Sequence, residues 1–179
     1  MSKILIVDDA PDSIKVLMET LRNLNDEILV ATSGKIALEV ALSQTPDLIL
    51  LDIMMPEMDG YEVCTELKAD AKTKNIPVIF ITALDEVTDE TKGFELGAVD
   101  YINKPICPPI VQARVKTHLK LKFAYQELER QNTILEQAAN YLAKNRLEQG
   151  HLLHSEKHSN MPWEEGEFNG KRWWWTKKK

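Results

Sequence analysis

Apolar residues come in five short, near-continuous runs: ILIV at 4–7, ILVA at 28–31, LILL at 48–51, VIFI at 78–81 and YI at 101–102. Runs of this length, several of them rich in Ile and Val and most not alternating with polar residues, read as strands buried on both faces of a parallel sheet. Between them the spacing becomes helical. It brings Ile14, Leu17, Met18 and Leu21 onto one face, then Ile36, Ala37, Val40 and Ala41, then Tyr61, Val63, Cys64 and Leu67, with a weaker pattern over 87–96. Pro11 suits the first turn of the first helix, and Gly97 suits a stop after the fourth. Strand and helix alternating through short connections predict an α/β fold with a doubly wound five-stranded parallel sheet. A further helical pattern opens after Pro108 and Pro109 and runs from about 110 to 149 without Gly or Pro. It stops at Gly150, and a polar tail containing Trp173, Trp174 and Trp175 follows.

Composition narrows the class. Of 179 residues, 44% are hydrophobic, enough to bury a core, which excludes a wholly disordered chain. Two cysteines, Cys64 and Cys107, exclude a disulfide scaffold and argue against a zinc site. The net charge of −6 conceals a split. Residues 1–107 hold 9 Lys and Arg against 20 Asp and Glu, a net −11, while residues 108–179 hold 13 against 8, a net +5. An acidic first part disfavours nucleic acid and anionic membranes as partners and favours a metal cation. No apolar run approaches the roughly 20 residues of a membrane span, and the start lacks a signal peptide's cleavage pattern. A cytoplasmic setting is the expectation.

Doubly wound sheets place their sites beyond the carboxyl ends of the strands. Asp8 and Asp9 follow the first run, Asp52 the third, Thr82 the fourth, and Lys104 with Pro105 the fifth. Singly, an Asp after a strand is a helix cap or turn residue. Together, three carboxylates at one sheet edge repel unless a cation neutralises them. Hard oxygen ligands suit Mg²⁺, with Mn²⁺ a chemical substitute. A lysine and a hydroxyl beside such a metal suit a phosphoryl group.

These residues lie in the segments ILIVDDAPDS, PDLILLDIMMPEMDGYEVC, IPVIFITAL and GAVDYINKPI. Through them, residues 3–107 resemble the receiver domain of two-component response regulators, with no departure at a functional position. The resemblance implies strand order 2-1-3-4-5, a flavodoxin-like arrangement with five helices. It implies that Asp52 is the phosphoacceptor, attacking a phosphohistidine or a small phosphodonor. Asp9 would ligate Mg²⁺ directly, Asp8 mainly through water, and the Met54 backbone carbonyl would add a ligand. Thr82 would bond one phosphoryl oxygen and Lys104 another, Lys104 pairing with Asp52 beforehand. Lys104–Pro105 would be a cis peptide, and Pro56 and Gly60 would shape the loop after Asp52. Thr82 and Tyr101 would form a switch acting on the surface of the fourth helix, fifth strand and fifth helix. Met54 and Leu84, both apolar, imply a phosphorylated state that is not especially short-lived. The partner implied is a histidine kinase or phosphotransfer protein. Such a chain is not a turnover enzyme; it catalyses only its own phosphoryl transfer and dephosphorylation.

In the long helix, Leu121, Leu128, Leu135 and Leu142 recur every seven residues. With these at heptad position d, position a holds His118, Tyr125, Asn132, Ala139 and Arg146. Leu at d with one Asn at a predicts a parallel coiled-coil homodimer, marginal alone because its second row is weak. The alternative frame sets Ala124, Gln131, Ala138 and Asn145 opposite the leucines. Arg114, Lys116, Lys120 and Lys122 are too few for a groove-tracking basic region, so no direct nucleic-acid binding is expected. Residues 113–132, ARVKTHLKLKFAYQELERQN, resemble the helix that joins receivers to diguanylate cyclase, cyclic-dinucleotide phosphodiesterase or adenylate cyclase domains. The expected organisation is a receiver over 1–107, a coiled-coil signalling helix over 108–149, and a Trp/Lys tail over 150–179 that is disordered or non-native. His151, His154 and His158 read as a solvated His-rich stretch. Two other readings stand beside a stand-alone dimeric regulator: the N-terminal regulatory part of a cyclic-nucleotide enzyme, and a phosphorylation-independent interaction scaffold.

Overall fold

The structure, a computed structural model, describes residues 1–24, 26–83, 92–159, 163–168 and 171–176, with side chains as far as residue 145. Leu84 and most of the expected fourth helix lie outside the described residues. The elements are β1 (Lys3–Val7), α1 (Pro11–Leu21), β2 (Glu27–Ala31), α2 (Gly34–Gln44), β3 (Leu48–Asp52), α3 (Gly60–Ala69) and β4 (Val78–Thr82). Then come α4, described as residues 92–95, β5 (Asp100–Asn103), α5 (Pro108–Ser159), β6 (Trp163–Phe168) and β7 (Lys171–Thr176). Strands β1–β5 form one parallel sheet in the order 2-1-3-4-5.

The continuous apolar runs find their reason in the two faces of this sheet. Alternate residues of a strand point to opposite faces. Leu5, Val7, Ile49, Leu51, Val78, Phe80 and Tyr101 pack on one side with Ala37 and Ala41 of α2 and Val63, Cys64 and Leu67 of α3. Ile4, Ile6, Leu48, Leu50, Ile79, Ile81 and Ile102 pack on the other with Ile14, Leu17 and Leu21 of α1 and Val111, Val115 and Leu119 of α5. Each fully buried side chain of this kind contributes about 1.5–3 kcal/mol.

Helix starts are chemically marked. Asp59 and Glu62 form a reciprocal capping box at α3, Ser33 caps α2, and Pro11 opens α1. Gly97, at φ 90, takes the left-handed conformation that ends α4, as its position in the sequence predicts.

The chain divides into two compact units, residues 1–126 and 127–179. In α5 the buried stripe ends at Leu119, and residues 123–144 are exposed throughout. The helix continues through Gly150 to Ser159. A single Gly costs a helix only about 1 kcal/mol relative to Ala and does not end one by itself. In the second unit β6 and β7 pair antiparallel, Trp163 opposite Thr176 and Phe168 opposite Lys171. Asn169-Gly170, between those partners in the sequence, is a strong hairpin signal. Among the described residues, no helix is long and apolar enough to cross a membrane.

Candidate functional site

At the carboxyl edge of the sheet, Asp8 and Asp9 follow β1 and Asp52 ends β3. Carboxylate oxygens of the three lie within 4.8 Å of one another. Asp8 and Asp52 are buried and Asp9 is exposed, so the cluster opens to solvent on one side. Lys104, directly after β5, reaches across the edge. Its Nζ donates to Asp8 Oδ2 at 2.9 Å and to Asp52 Oδ2 at 3.1 Å. The Lys104 backbone N–H donates to the Thr82 carbonyl at 2.7 Å, and the Lys104–Pro105 peptide is cis. Thr82 is buried at the end of β4, in register with Asn103 on one side and one residue beyond the Asp52–Ile81 pair on the other.

The loop after Asp52 is held by its own backbone. Gly60 N–H and Met55 N–H both donate to the Ile53 carbonyl, at 2.9 and 3.1 Å, and Glu57 adopts a positive φ of 66. A Cβ at Gly60 would lie 2.3 Å from the Asp52 carbonyl oxygen, so only glycine allows α3 to begin here. The Asp8 carboxylate also accepts from the Ala10 N–H at 2.9 Å, ordering the turn into α1. Met54, two residues after Asp52, is exposed.

Electrostatics follow from this crowding. Burial pushes the Asp52 carboxyl above the ordinary carboxylate value, against the pull of Lys104, and the neighbouring Asp8 charge adds to the rise. Burial alone would depress Lys104, but its bonds to Asp8 and Asp52 outweigh burial and raise it above the usual lysine value. One ammonium cannot neutralise three carboxylates. Three hard oxygen donors on one solvent-open edge have the chemistry of a Mg²⁺ site, and the residues present fit that ion.

Tyr101 lies two residues before Asn103 on β5 and is buried in the core. Its hydroxyl is 3.3 Å from that of Tyr61, the second residue of α3. Phe80 packs between the two rings, at centroid distances of 5.4 Å to Tyr61 and 5.7 Å to Tyr101. Sequence reasoning placed Tyr61 only in a core stripe, because a pairing across forty residues leaves no local periodic signal.

It also missed the polar anchors of α5. Arg114 and His118 both bond the Asp100 carboxylate, His118 Nε2 at 2.9 Å, and Lys122 Nζ donates to Asp47 Oδ1 at 2.7 Å. His118, given a heptad a position from the sequence, is therefore engaged with β5. Leu121, Leu128, Leu135 and Leu142 are 48%, 52%, 66% and 67% exposed, and Asn132 is exposed with them.

The response regulator receiver domain family matches residues 4–116, and the chain belongs to that family. Receiver domains are phosphoacceptor signalling modules. A Vibrio cholerae protein named a probable cyclic di-GMP phosphodiesterase is 49% identical over 133 residues, 74% of this chain and 30% of its own. The response regulator PleD of Caulobacter vibrioides is 42% identical over 127 residues, 71% of this chain and 28% of its own. The chain thus spans under a third of either relative. Among solved structures, the beryllofluoride-activated receiver domain of Klebsiella pneumoniae RstA is similar at a TM-score of 0.60 and 34% identity, covering 65% of this chain and 97% of that one.

Proposed function

We propose that Asp52 accepts a phosphoryl group from a histidine kinase, a phosphotransfer protein or a small phosphodonor. The observation that carries this is the contact of Lys104 Nζ with both Asp8 and Asp52, at an edge where three carboxylates converge within 4.8 Å. Asp8, Asp9, Asp52 and the Met54 carbonyl would hold Mg²⁺, which when bound supplies positive charge to the phosphoryl oxygens. An Asp52 carboxylate oxygen forms the new bond to phosphorus while the bond to the donor's nitrogen or oxygen breaks. The donor leaves with the electron pair. Lys104 exchanges a carboxylate for a phosphoryl oxygen, and the Thr82 hydroxyl donates to another. The added charge then biases Thr82, Tyr101 and the surface of α4, β5 and α5. With acetyl phosphate and Mg²⁺, the wild-type chain is expected to give a shifted band on a phosphate-affinity gel and Asp52→Asn none. Undiminished labelling of the variant would overturn the assignment.

We further infer that residues 1–107 are the receiver and that α5 carries its output as a parallel homodimeric coiled coil through Leu121, Leu128, Leu135 and Leu142, with Asn132 setting register. The 150–179 segment has no assigned role in this reading. Exposure of the whole stretch 123–144 supports it, since a helix with no buried face is marginal in water. A second reading has a specific support. The 49% and 42% identical relatives are longer proteins, one named for cyclic di-GMP turnover. On that reading the receiver and its helix regulate a cyclic-dinucleotide enzyme domain, which the native reading frame beyond Lys179 would reveal or exclude.

A further inference from the structure

Four elements meet at one ring. Tyr61 belongs to α3, and its hydroxyl lies 3.3 Å from that of Tyr101 on β5. Phe80 of β4 stacks edge-on against Tyr61 and at a tilt against Tyr101. From α4, the Lys92 ammonium sits over the Tyr61 ring, 4.1 Å from its centroid. The next residue, Gly93, lies so close to the rings of Phe80 and Tyr101 that a Cβ there would be 3.1 Å from atoms of each. The inward Tyr101 ring and the seat of α4 are therefore one packed unit, and Tyr61 touches both halves of it.

We infer that Tyr61 is a positioning residue that latches Tyr101 inward and ties α4 to that state before any phosphoryl group arrives. The inference rests on the reading of Tyr101 as a switch and adds a residue that reading does not include. The physical argument is one of competing partners. A buried phenol hydroxyl needs a hydrogen-bond partner, and a Tyr ring that swings outward exchanges its inside partner for water. The Tyr61 hydroxyl offers a partner only to the inward ring, so it weights the equilibrium inward by about the worth of one net hydrogen bond, roughly a fivefold change in population. Lys92 over the Tyr61 ring makes α4 favour the same arrangement, because a cation over an aromatic face is held by the ring's quadrupole. A phosphoryl group at Asp52 would then find both the Tyr101 ring and the described part of α4 already weighted towards the inward arrangement.

Fluorine NMR of the whole chain labelled with 3-fluorotyrosine tests this. There are four tyrosines; Tyr125 and Tyr141 are exposed and serve as solvent references for the buried Tyr61 and Tyr101. Tyr61→Phe keeps the ring and the Phe80 contact and removes only the hydroxyl, so it is expected to fold. The outward population of Tyr101, read from exchange and the solvent isotope shift, should rise about fivefold in the variant. Beryllofluoride with Mg²⁺ should return it to the wild-type level. An unchanged Tyr101 population in Tyr61→Phe without beryllofluoride would overturn the latch. An absence of any beryllofluoride effect in either protein would instead overturn the phosphorylation site, while the uncomplexed spectra still decide the latch.

Discussion

Lys104 is the residue on which the acidic edge depends, since its ammonium is shared by Asp8 and Asp52 at 2.9 and 3.1 Å. Asp9 has no such partner among the described ion pairs and lies exposed beside two buried charges. Like charges this close oppose one another, so Asp9→Asn should raise stability in the absence of divalent ions by about 0.5–1 kcal/mol. The same variant should lose at least about tenfold in Mg²⁺-dependent labelling. Urea melts in EDTA and a labelling time course check both halves; a variant less stable in EDTA contradicts the account. Gly60 makes the complementary case through backbone packing. With 2.3 Å to the Asp52 carbonyl oxygen, a methyl group must displace either α3 or the end of β3, so Gly60→Ala should cost about 2–3 kcal/mol and impair labelling together. The carboxylates, Thr82 and Lys104 were all visible in the sequence, because each follows an apolar run that marks a strand end. Tyr61 was not, because its role depends on which ring faces it across the core.

The strands follow from apolar runs, most clearly β1, β3 and β4, which are buried on both faces; their order is carried by the family resemblance and not by the runs. Helix α5 shows where such patterns stop. Its stripe of Val111, Val115 and Leu119 is local and periodic, whereas its polar anchors to Asp100 and Asp47 are long-range and leave no periodic trace. Burial opposes ionisation of Asp47, but the Lys122 ammonium and the Lys3 N–H outweigh it and hold the carboxyl below its ordinary 3.8. A folded value below the unfolded one stabilises the fold above the unfolded value, and that stability is lost as pH falls through the folded value. Asp47→Asn should therefore lower stability by about 1 kcal/mol at neutral pH, a figure discounted for partial exposure. The gap to wild type should begin to close as pH falls below about 3.8 and go on closing as pH falls through the lower folded value. Denaturation at pH 7 and pH 3 checks this; a gap of equal size at both would contradict it.

Across the whole molecule, the charge break at residue 107 lies close to the opening of α5, and the boundary between compact units falls later, after residue 126. Composition registers the end of the sheet, while the first unit keeps α5 as far as its last anchors. If the exposed leucines pair two chains, Leu128→Ala with Leu135→Ala should convert a dimer to a monomer in sedimentation equilibrium and leave labelling by acetyl phosphate unchanged. A wild-type monomer at tens of micromolar would contradict the coiled coil. The central claim, that this receiver takes a phosphoryl group on one particular carboxylate, is tested most directly by finding where that group goes. After incubation with acetyl phosphate and Mg²⁺, borohydride reduction and digestion, the account predicts a modified peptide at Asp52 alone, absent when EDTA replaces Mg²⁺. Modification at another carboxylate, or equal modification in EDTA, would contradict it.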